Sequence, residues 1–406
     1  MRSFRETVVG RSMFRSPDRV TRRDQAAGHW SNFLLHLYPV KVRRFELRFR
    51  YSWFLGVTSV VLFVSLVVSG IYLMFFYIPT PTEAYGDIQA LQTSVAFGQF
   101  MRNVHRWSAH LMVLTVAAHM ARMFYRGAYK PPREFNWGIG VVLLVLTLLL
   151  SFTGYLLPWD QLAFWAVTVG SSMASFVPVV GDTVKETLIG GDQVGASTLL
   201  RFYVLHIAVL PTLLVGILMV HIWRWRKDSM FDRATATDVE LVDGGRVLGI
   251  VPGVPATGTT KAPSEQDLVM SSPHLLVRHT VVALGVLVIV LVVSLLFDAP
   301  LRELANPFET PNPEKAPWYF AALQELLSHF HPMVAGILVP GAIVLGMLAL
   351  PYIDRNPETQ MSARRVAVVV FTVFLVGWVL LTLIGFAFRG ENWGWVWPWN
   401  EWHGEL

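Results

Sequence analysis

The sequence predicts an all-α integral membrane protein with seven transmembrane helices, the first four forming a bundle. Three observations predict it. Over 406 residues the chain is 53% apolar and only 15% charged, where a soluble domain of this length carries about 25%. The apolar residues are gathered into blocks of about 20 or more, the length that crosses a bilayer. Positive charge collects in alternate connecting loops, as it does when successive blocks cross once each.

The blocks run roughly over residues 53–78, 104–125, 137–157, 202–224, 276–297, 333–352 and 364–388. Residues 1–50 hold twelve Lys and Arg against four Asp and Glu and contain no apolar core, so no cleavable signal peptide is visible. This basic excess reads as the ordinary positive-inside signal before a first span, and nucleic-acid binding is not expected. Arg126, Lys130 and Arg133, then Arg224, Arg226 and Lys227, then Arg355, Arg364 and Arg365 fall on the same side as the N-terminus. The opposite loops, 79–101, 158–200 and 298–332, are poorer in Lys and Arg. The N-terminus is therefore expected in the cytoplasm and the C-terminus outside, in a bacterial inner (plasma) membrane.

Four regions follow along the chain: a basic segment 1–50, a four-span domain 51–226, a linker 227–273 and a three-span domain 274–406. The linker is rich in Gly, Pro, Thr and Asp, with a hairpin signal at Asp243-Gly244-Gly245. Loop 158–200 carries apolar stretches too short to span, expected as helices on or near the membrane surface. The tail, with Trp393, Trp395, Trp397, Trp399 and Trp402, is expected to lie along the outer interface.

There is no cysteine. Disulfides, thiolate iron–sulfur ligation and covalently attached haem are excluded, and metal chemistry falls to the twelve histidines. Histidine inside an apolar span is costly and needs a reason. Block two holds His105 and His119, fourteen apart, and block four holds His206 and His221, fifteen apart. On an α-helix fourteen residues return to within about 40° of the same face, about 21 Å along the axis, and fifteen overshoot by about 60°. Blocks two and four point the same way, so His105 pairs with His206 near the outer surface and His119 with His221 near the inner one. Two bis-histidine sites result. With no open metal position, such a site suits haem electron transfer rather than oxygen binding. Arg102, Arg106 and Arg201 lie near the outer pair and Arg122, Arg224 and Arg226 near the inner pair, where guanidinium groups can offset haem propionates.

Gly56 and Gly70 are fourteen apart in block one, as are Gly140 and Gly154 in block three. They open room for a flat cofactor or for tight helix packing, and the shared spacing with the histidines favours the cofactor. His110, about 140° around the helix from His105, is expected to be structural. His29, His36, His279, His329, His331 and His403 lie outside the spans or at their ends and are expected at surfaces or interfaces.

The segments Arg102-Asn-Val-His-Arg-Trp-Ser-Ala-His110, Gly154-Tyr-Leu-Leu-Pro-Trp-Asp-Gln161 and Arg201-Phe-Tyr-Val-Leu-His206 resemble cytochrome b of the bc-type complexes, most closely cytochrome b6 fused to its companion subunit IV. The resemblance covers residues 40–226 strongly and 274–390 more weakly. It implies a di-haem cytochrome b subunit of a quinol:cytochrome c (or plastocyanin-like acceptor) oxidoreductase, with two non-covalent haem b and quinone as substrate. In that family quinol is oxidised at an outer pocket. One electron passes to a Rieske iron–sulfur protein and the other through the outer and inner haems to an inner quinone site, coupled to proton translocation. Partners implied are the Rieske protein, a c-type cytochrome, the bilayer and a second copy of the complex.

The outer pocket is implied at Pro158, Trp159, Asp160, Gln161, Phe164 and Trp165, and at Pro317, Trp318 and Tyr319. There Pro317 stands where the family's P-E-W-Y motif has Glu. Glu314 and Glu325 are the expected substitutes as proton acceptor. Lys41, Arg226, Lys227 and Asp228 are candidates for the inner quinone site. The family's b6 branch carries a cysteine for an extra covalent haem, but this chain has Phe54-Leu55-Gly56 there, so two haems are expected. Seven spans, rather than the eight of mitochondrial-type chains, are expected. Two rivals remain: a di-haem, quinone-reactive anchor of a dehydrogenase without bifurcation, and a transporter whose histidines relay protons.

Overall fold

A computed structural model describes residues 37–228 and 268–399. The basic segment up to residue 36, the centre of the linker with its hairpin signal, and Trp402 and His403 lie outside the described residues.

Helix α1 is Leu55–Met74, α2 Ala84–Thr93, α3 Gly98–Tyr125 and α4 Glu134–Tyr155. Then come α5 (Gln161–Ser172), α6 (Gly181–Ile189) and α7 (Ala196–Val204). A π turn, Leu205–Val209, leads into α8 (Leu210–Asp228) without a break. The C-terminal part holds α9 (Ser271–Leu296), α10 (Trp318–Leu327), a second π turn (Met333–Leu338), α11 (Val339–Ile353) and α12 (Arg365–Ala387). Helices α5 and α6 supply the expected short helices of loop 158–200.

Among the described residues six helices are long and apolar enough to cross a membrane: Leu55–Met74, Glu134–Tyr155, Ala196–Lys227, Ser271–Leu296, Met333–Ile353 and Arg365–Ala387. The apolar core of Arg365–Ala387 has no buried residue. In water such a face would be an aggregation hazard; in lipid it is the ordinary solvent-facing surface. The expected span 104–125 falls within α3, whose 28 residues extend about 42 Å. Arg102, Arg106, Arg122 and three histidines keep α3 outside the six.

The chain divides into two compact units that run across the sequence division rather than along it: 1–51 with 222–281, and 52–221 with 282–406. In the first, strand β1 (Lys41–Arg43) pairs antiparallel with β2 (Leu268–Met270), Val42 opposite Val269. The Tyr38 hydroxyl meets His279 Nδ1 at 3.0 Å, and the Tyr38 ring sits edge-on to Trp225.

In the second unit Leu62, Phe63, Val104, Met112, Leu146, Leu210, Leu214 and Val290 draw α1, α3, α4, α8 and α9 into one apolar cluster. Small residues let α1 and α3 approach: Ser65 and Ser108 hydrogen-bond at 3.0 Å. A second cluster joins Leu156, Trp159, Phe164 and Val167 to Leu199 and Phe202. A third joins Met120, Phe124, Tyr129, Trp137 and Val141 to α11 and α12. Two charges expected as loop anchors are instead buried there. Arg364 donates to the Tyr129 hydroxyl and to the Phe124 and Tyr125 carbonyls, and Lys130 pairs with Asp354 at 2.9 Å.

Candidate haem and quinol sites

The four glycines meet the four histidines. On α1, Gly56 faces His119 and Gly70 faces His105; a Cβ at those positions would lie 3.5 and 3.1 Å from the imidazole Cε1 atoms. On α4, Gly140 faces His221 at 3.7 Å, and a Cβ at Gly154 would run into the His206 ring. At Gly154 the missing side chain is room for the imidazole, and no substitution is possible without displacing His206; Gly70 is tight against His105, while at Gly56 and Gly140 a Cβ would make ordinary contact.

The fifteen-residue spacing of His206 and His221 faces a fourteen-residue spacing on α4. The π turn Leu205–Val209 takes up the difference. A π turn carries one residue more than an α turn, so fifteen residues deliver the register of fourteen, and the 60° overshoot expected from an ideal helix does not arise. Deleting Ala208 should convert the π turn to regular α-helix and preserve haem content. Inserting one alanine between His105 and His119 in regular α3 should cost a haem, as read by pyridine haemochrome assay.

His105 and His206 face one another with ring centroids 6.1 Å apart. Behind them the Nδ1 atoms are engaged: His105 Nδ1 meets Ser69 Oγ at 3.0 Å, and His206 Nδ1 donates to the Leu150 carbonyl at 3.0 Å. Thr153 Oγ1 also approaches His206 Nδ1, at 3.4 Å. The Nε2 atoms are thus the ones left for a metal. At the other level the buried Nδ1 atoms of His119 and His221 make no hydrogen bond among the described residues. Sequence reasoning missed these supports, although a signal was present: a hydroxyl residue immediately precedes Gly70 and Gly154, and none precedes Gly56 or Gly140.

The arginines divide by what they touch. Arg102 donates to the Ala299 and Pro300 carbonyls at 2.5 and 2.6 Å, binding the start of α3 to the chain after α9. Arg201 donates to the Thr187 carbonyl at the end of α6. Arg122 stacks over the Trp53 ring at 4.8 Å. The buried Nε of Arg106 has no partner among the described residues. On the other unit, Lys227 lies over Trp223, Arg224, Arg226 and Asp228 complete the end of α8, and Lys41 opens β1.

The Pro-Trp-Asp-Gln segment is a latch. Pro158 is half-buried in the turn after α4, and buried Trp159 takes φ +54°, a left-handed conformation costly for a bulky residue. Asp160 caps α5 by accepting from Ala163 N at 2.9 Å and accepts from Arg302 N at 3.1 Å. Gln161 accepts from Asn306 N at 2.6 Å. Trp165 Nε1 donates to the Asn306 carbonyl. Trp159 and Phe164 pack edge to face in the core. Residues 302–309 are thereby fixed against the start of α5. Burial raises the Asp160 carboxyl pKa, against the two backbone N–H groups that lower it.

Pro317 caps α10. Trp318 Nε1 donates to His110 Nδ1 at 2.9 Å, and the Tyr319 and His110 rings lie 5.9 Å apart. His110 thus ties α3 to α10 and leaves the paired histidines to their own face. Burial pushes the Tyr319 hydroxyl up to about 12.

The two candidate carboxylates differ sharply. Glu325 is 2% exposed and is gripped by the Arg389 guanidinium, by His329 Nε2 at 3.0 Å and by Trp393 Nε1 at 3.1 Å. Burial pushes its pKa up, but these donors outweigh burial and hold it below the usual range. Both carboxylate oxygens of Glu314 are buried with no hydrogen-bond partner among the described residues. Burial first, then the Asp160 and Glu303 charges, push Glu314 to about 8. Gln324 braces the Glu314 backbone, accepting from Ala316 N at 2.7 Å and donating to the Glu314 carbonyl at 2.6 Å.

Fold and site together define a helical membrane protein with histidine pairs held between helices and a loop latch beside one pair. Residues 44–229 match the family model Cytochrome b/b6/petB, and residues 304–397 match Cytochrome b(C-terminal)/b6/petD. Cytochrome b6 of Heliobacterium modesticaldum is 44% identical over 178 residues, 44% of this chain and 84% of that protein. Cytochrome b6 of Synechococcus sp. (strain RCC307) is 46% identical over 176 residues, 43% of this chain and 81% of that protein. A chain of a hyperthermophilic respiratory Complex III shares the fold, with TM-score 0.69 at 22% identity over 82% of this chain and 84% of that one. The chain belongs to the cytochrome b/b6 family, and both a b6-like and a subunit-IV-like part lie on one polypeptide. It is an electron-transport protein of the membrane, a cytochrome b subunit of a quinol oxidoreductase, and haem b and quinone follow from the family.

Proposed function

We propose that the chain is the seven-span, di-haem core of a quinol:cytochrome c (or plastocyanin-like acceptor) reductase, α3 being the seventh span. It oxidises quinol beside α10 on the outer side and delivers electrons across the membrane to an inner quinone. Its partners in this reading are a Rieske protein and a c-type cytochrome, in a dimeric complex of a bacterial inner membrane, with the N-terminus cytoplasmic and the C-terminus outside. His105 and His206 hold the outer haem b, and His119 and His221 the inner one. Each haem, when bound, would supply a one-electron carrier held between two histidines.

The observation that carries this reading is the pairing of His105 with His206. An iron about 2 Å from one nitrogen of each imidazole needs ring centres roughly 6 Å apart, and they are 6.1 Å apart. Gly70 and Gly154 back these rings, Gly56 and Gly140 back the other pair, and the unpartnered Arg106 Nε suits an anionic propionate. Arg102 and Arg201, spent on backbone carbonyls, serve the fold around the outer level.

Glu314 is the base at the outer site. It lies four residues before Trp318 on a segment braced by Gln324, and its oxygens have no partner that holds them ionised. Asp160 and Gln161 fix the 302–309 loop, while Trp159, Phe164 and Trp165 keep that latch dry. Pro317, Trp318 and Tyr319 form the opposite edge. Lys41, Arg226, Lys227 and Asp228 are proposed for the inner quinone.

The Ser69 contact should tune the outer haem. A hydrogen bond to Nδ1 strengthens the imidazole as a ligand and favours oxidised iron. Ser69→Ala should raise the midpoint potential of that haem by tens of millivolts, where about 59 mV is tenfold for one electron. Redox titration checks it; an unchanged outer potential refutes it.

A reduced-minus-oxidised spectrum of the purified complex tests the whole reading. It should show a b-type α-band, and quinol oxidation should be blocked by outer-site inhibitors. No α-band would favour a proton-relaying transporter; inhibitor-insensitive electron transfer would favour a dehydrogenase anchor.

A further inference from the structure

We propose that the turn after α12, residues 389–393, positions the outer quinol site from outside it. The turn fixes both the segment that carries Glu314 and the helix that carries Trp318 and Tyr319. This rests on the reading of those three residues as part of that site. Asn392 and Trp393 are then positioning residues, acting through Asn312 and Glu325.

Beyond α12 the chain doubles back on itself. Arg389 forms an antiparallel bridge with Trp395. Gly390 N donates to the Gly394 carbonyl at 2.9 Å, and Val396 N to the Phe388 carbonyl at 3.1 Å. At the tip, Asn392 and Trp393 take φ +53° and +59°. Two successive left-handed residues, one of them a bulky aromatic, are costly and persist only where surrounding contacts over-determine them. Those two residues are the ones that reach toward the site. Asn312 Nδ2 donates to Asn392 Oδ1 at 2.8 Å, and Asn392 N donates to Asn312 Oδ1 at 2.6 Å. Trp393 Nε1 donates to the Glu325 carboxylate at 3.1 Å.

These contacts bracket Glu314. Asn312 lies two residues before it. Lys315, one residue after it, donates through Nζ to the Phe386 carbonyl near the end of α12 at 3.3 Å. Glu325 follows Gln324, whose side chain accepts from Ala316 N and donates to the Glu314 carbonyl. A grip on Glu325 is therefore passed along to the Glu314 backbone. Arg389 doubles that grip: its Nε donates to Glu325 at 3.0 Å, and the same guanidinium donates to the Trp393 carbonyl at 3.3 Å. One side chain thus ties the strained tip to α10. Gly385 lets α12 come close enough for this, since a Cβ there would lie 2.6 Å from the Ala321 carbonyl oxygen.

Loosening the tip has a chemical consequence. Both carboxylate oxygens of Glu314 are buried, and burial is the first cause of its raised pKa of about 8. A segment released from Asn392 or from α10 admits water, which stabilises the carboxylate and lowers that value.

The test follows quinol oxidation by the full complex against quinol concentration and pH. Asn392→Gly tolerates the left-handed backbone but gives up the bond from Asn312 Nδ2. Trp393→Phe keeps an aromatic ring but gives up the donor to Glu325. Each should raise the quinol KM and lower kcat/KM by about three- to tenfold, the factor of one hydrogen bond. Each should also move the midpoint of the rise of turnover with pH below the wild-type value. An unchanged haem spectrum reports that both variants are folded. Trp399→Ala is the control: Trp399 belongs to the same tail and stacks on Trp397, and its loss should leave KM and midpoint alone. Wild-type KM and pH profile in both variants, or the same losses in the control, would overturn the proposal. Glu314→Gln separates this from the reading beneath it. A flattened profile there, with wild-type kinetics in both tail variants, removes the positioning role alone. A wild-type profile there removes the base, while a raised KM in the tail variants still supports positioning through Trp318 and Tyr319.

Discussion

A His206→Leu chain is expected to keep one haem b and lose the other. Leucine is close to histidine in volume, so the π turn and the contact with Gly154 survive, but it offers no nitrogen to the metal. The outer level is then left with His105 alone, still backed by Ser69 and Gly70. A haem held by one histidine would be bound far more weakly than one held by two. Haem per chain should fall from two to one by pyridine haemochrome, and transmembrane electron transfer should stop. The control is His110→Leu, five residues from His105 on the same helix. It breaks the bond to Trp318 Nε1 and should cost stability and quinol affinity while retaining both haems. Retention of two haems in His206→Leu would refute the ligand assignment.

A Glu314→Gln chain should oxidise quinol more slowly and yet be more stable in mild alkali. General-base catalysis contributes roughly 10²–10⁴-fold, and glutamine keeps the shape but cannot take a proton. The rise of wild-type turnover with pH, centred near the Glu314 value of about 8, should flatten in the variant. The stability effect has a definite sign. Glu314 is raised in the fold to about 8 from an ordinary value of 4.5. Below pH 4.5 it is protonated in folded and unfolded chains alike and costs nothing. Between these values the unfolded chain gives up its proton and the folded chain keeps it, so stability falls as pH rises and stays reduced above pH 8. Glutamine removes that loss, so Tm at pH 8.5 should rise relative to wild type while Tm at pH 4.5 stays level. Glu325→Gln should do the reverse. It leaves Arg389 poorly compensated in a buried pair, which costs about 3 kcal/mol, and it should lower Tm without flattening the pH profile. Wild-type turnover and pH dependence in Glu314→Gln would remove it from the mechanism.

These two glutamates show where sequence reading stops. Both are near Trp318 in the chain, and nothing in the local pattern separates them. The separation comes from residue 389, sixty-four positions away from Glu325, and from Asp160 and Glu303 beside Glu314. In the same way Arg102 and Arg201 stand at propionate spacing from the histidines, but the carbonyls of residues 299, 300 and 187 claim them. Spacing along a helix tells which face a side chain leaves from. It does not tell which distant segment meets it.

What the sequence determined by itself was the membrane class, the family and the fourteen-residue arithmetic of glycine and histidine. Composition, apolar block length and helical pitch are properties of one dimension and need no neighbour to be read. Only the tertiary structure decided that each glycine faces an imidazole, because that depends on the register between antiparallel helices. It also decided that α3 falls outside the six spans judged by apolar character, and that a π turn reconciles fifteen residues with fourteen. That last choice rests on packing: an α turn at His206 would rotate the ring by one residue, about 100°, away from the contact that Gly154 leaves open for it.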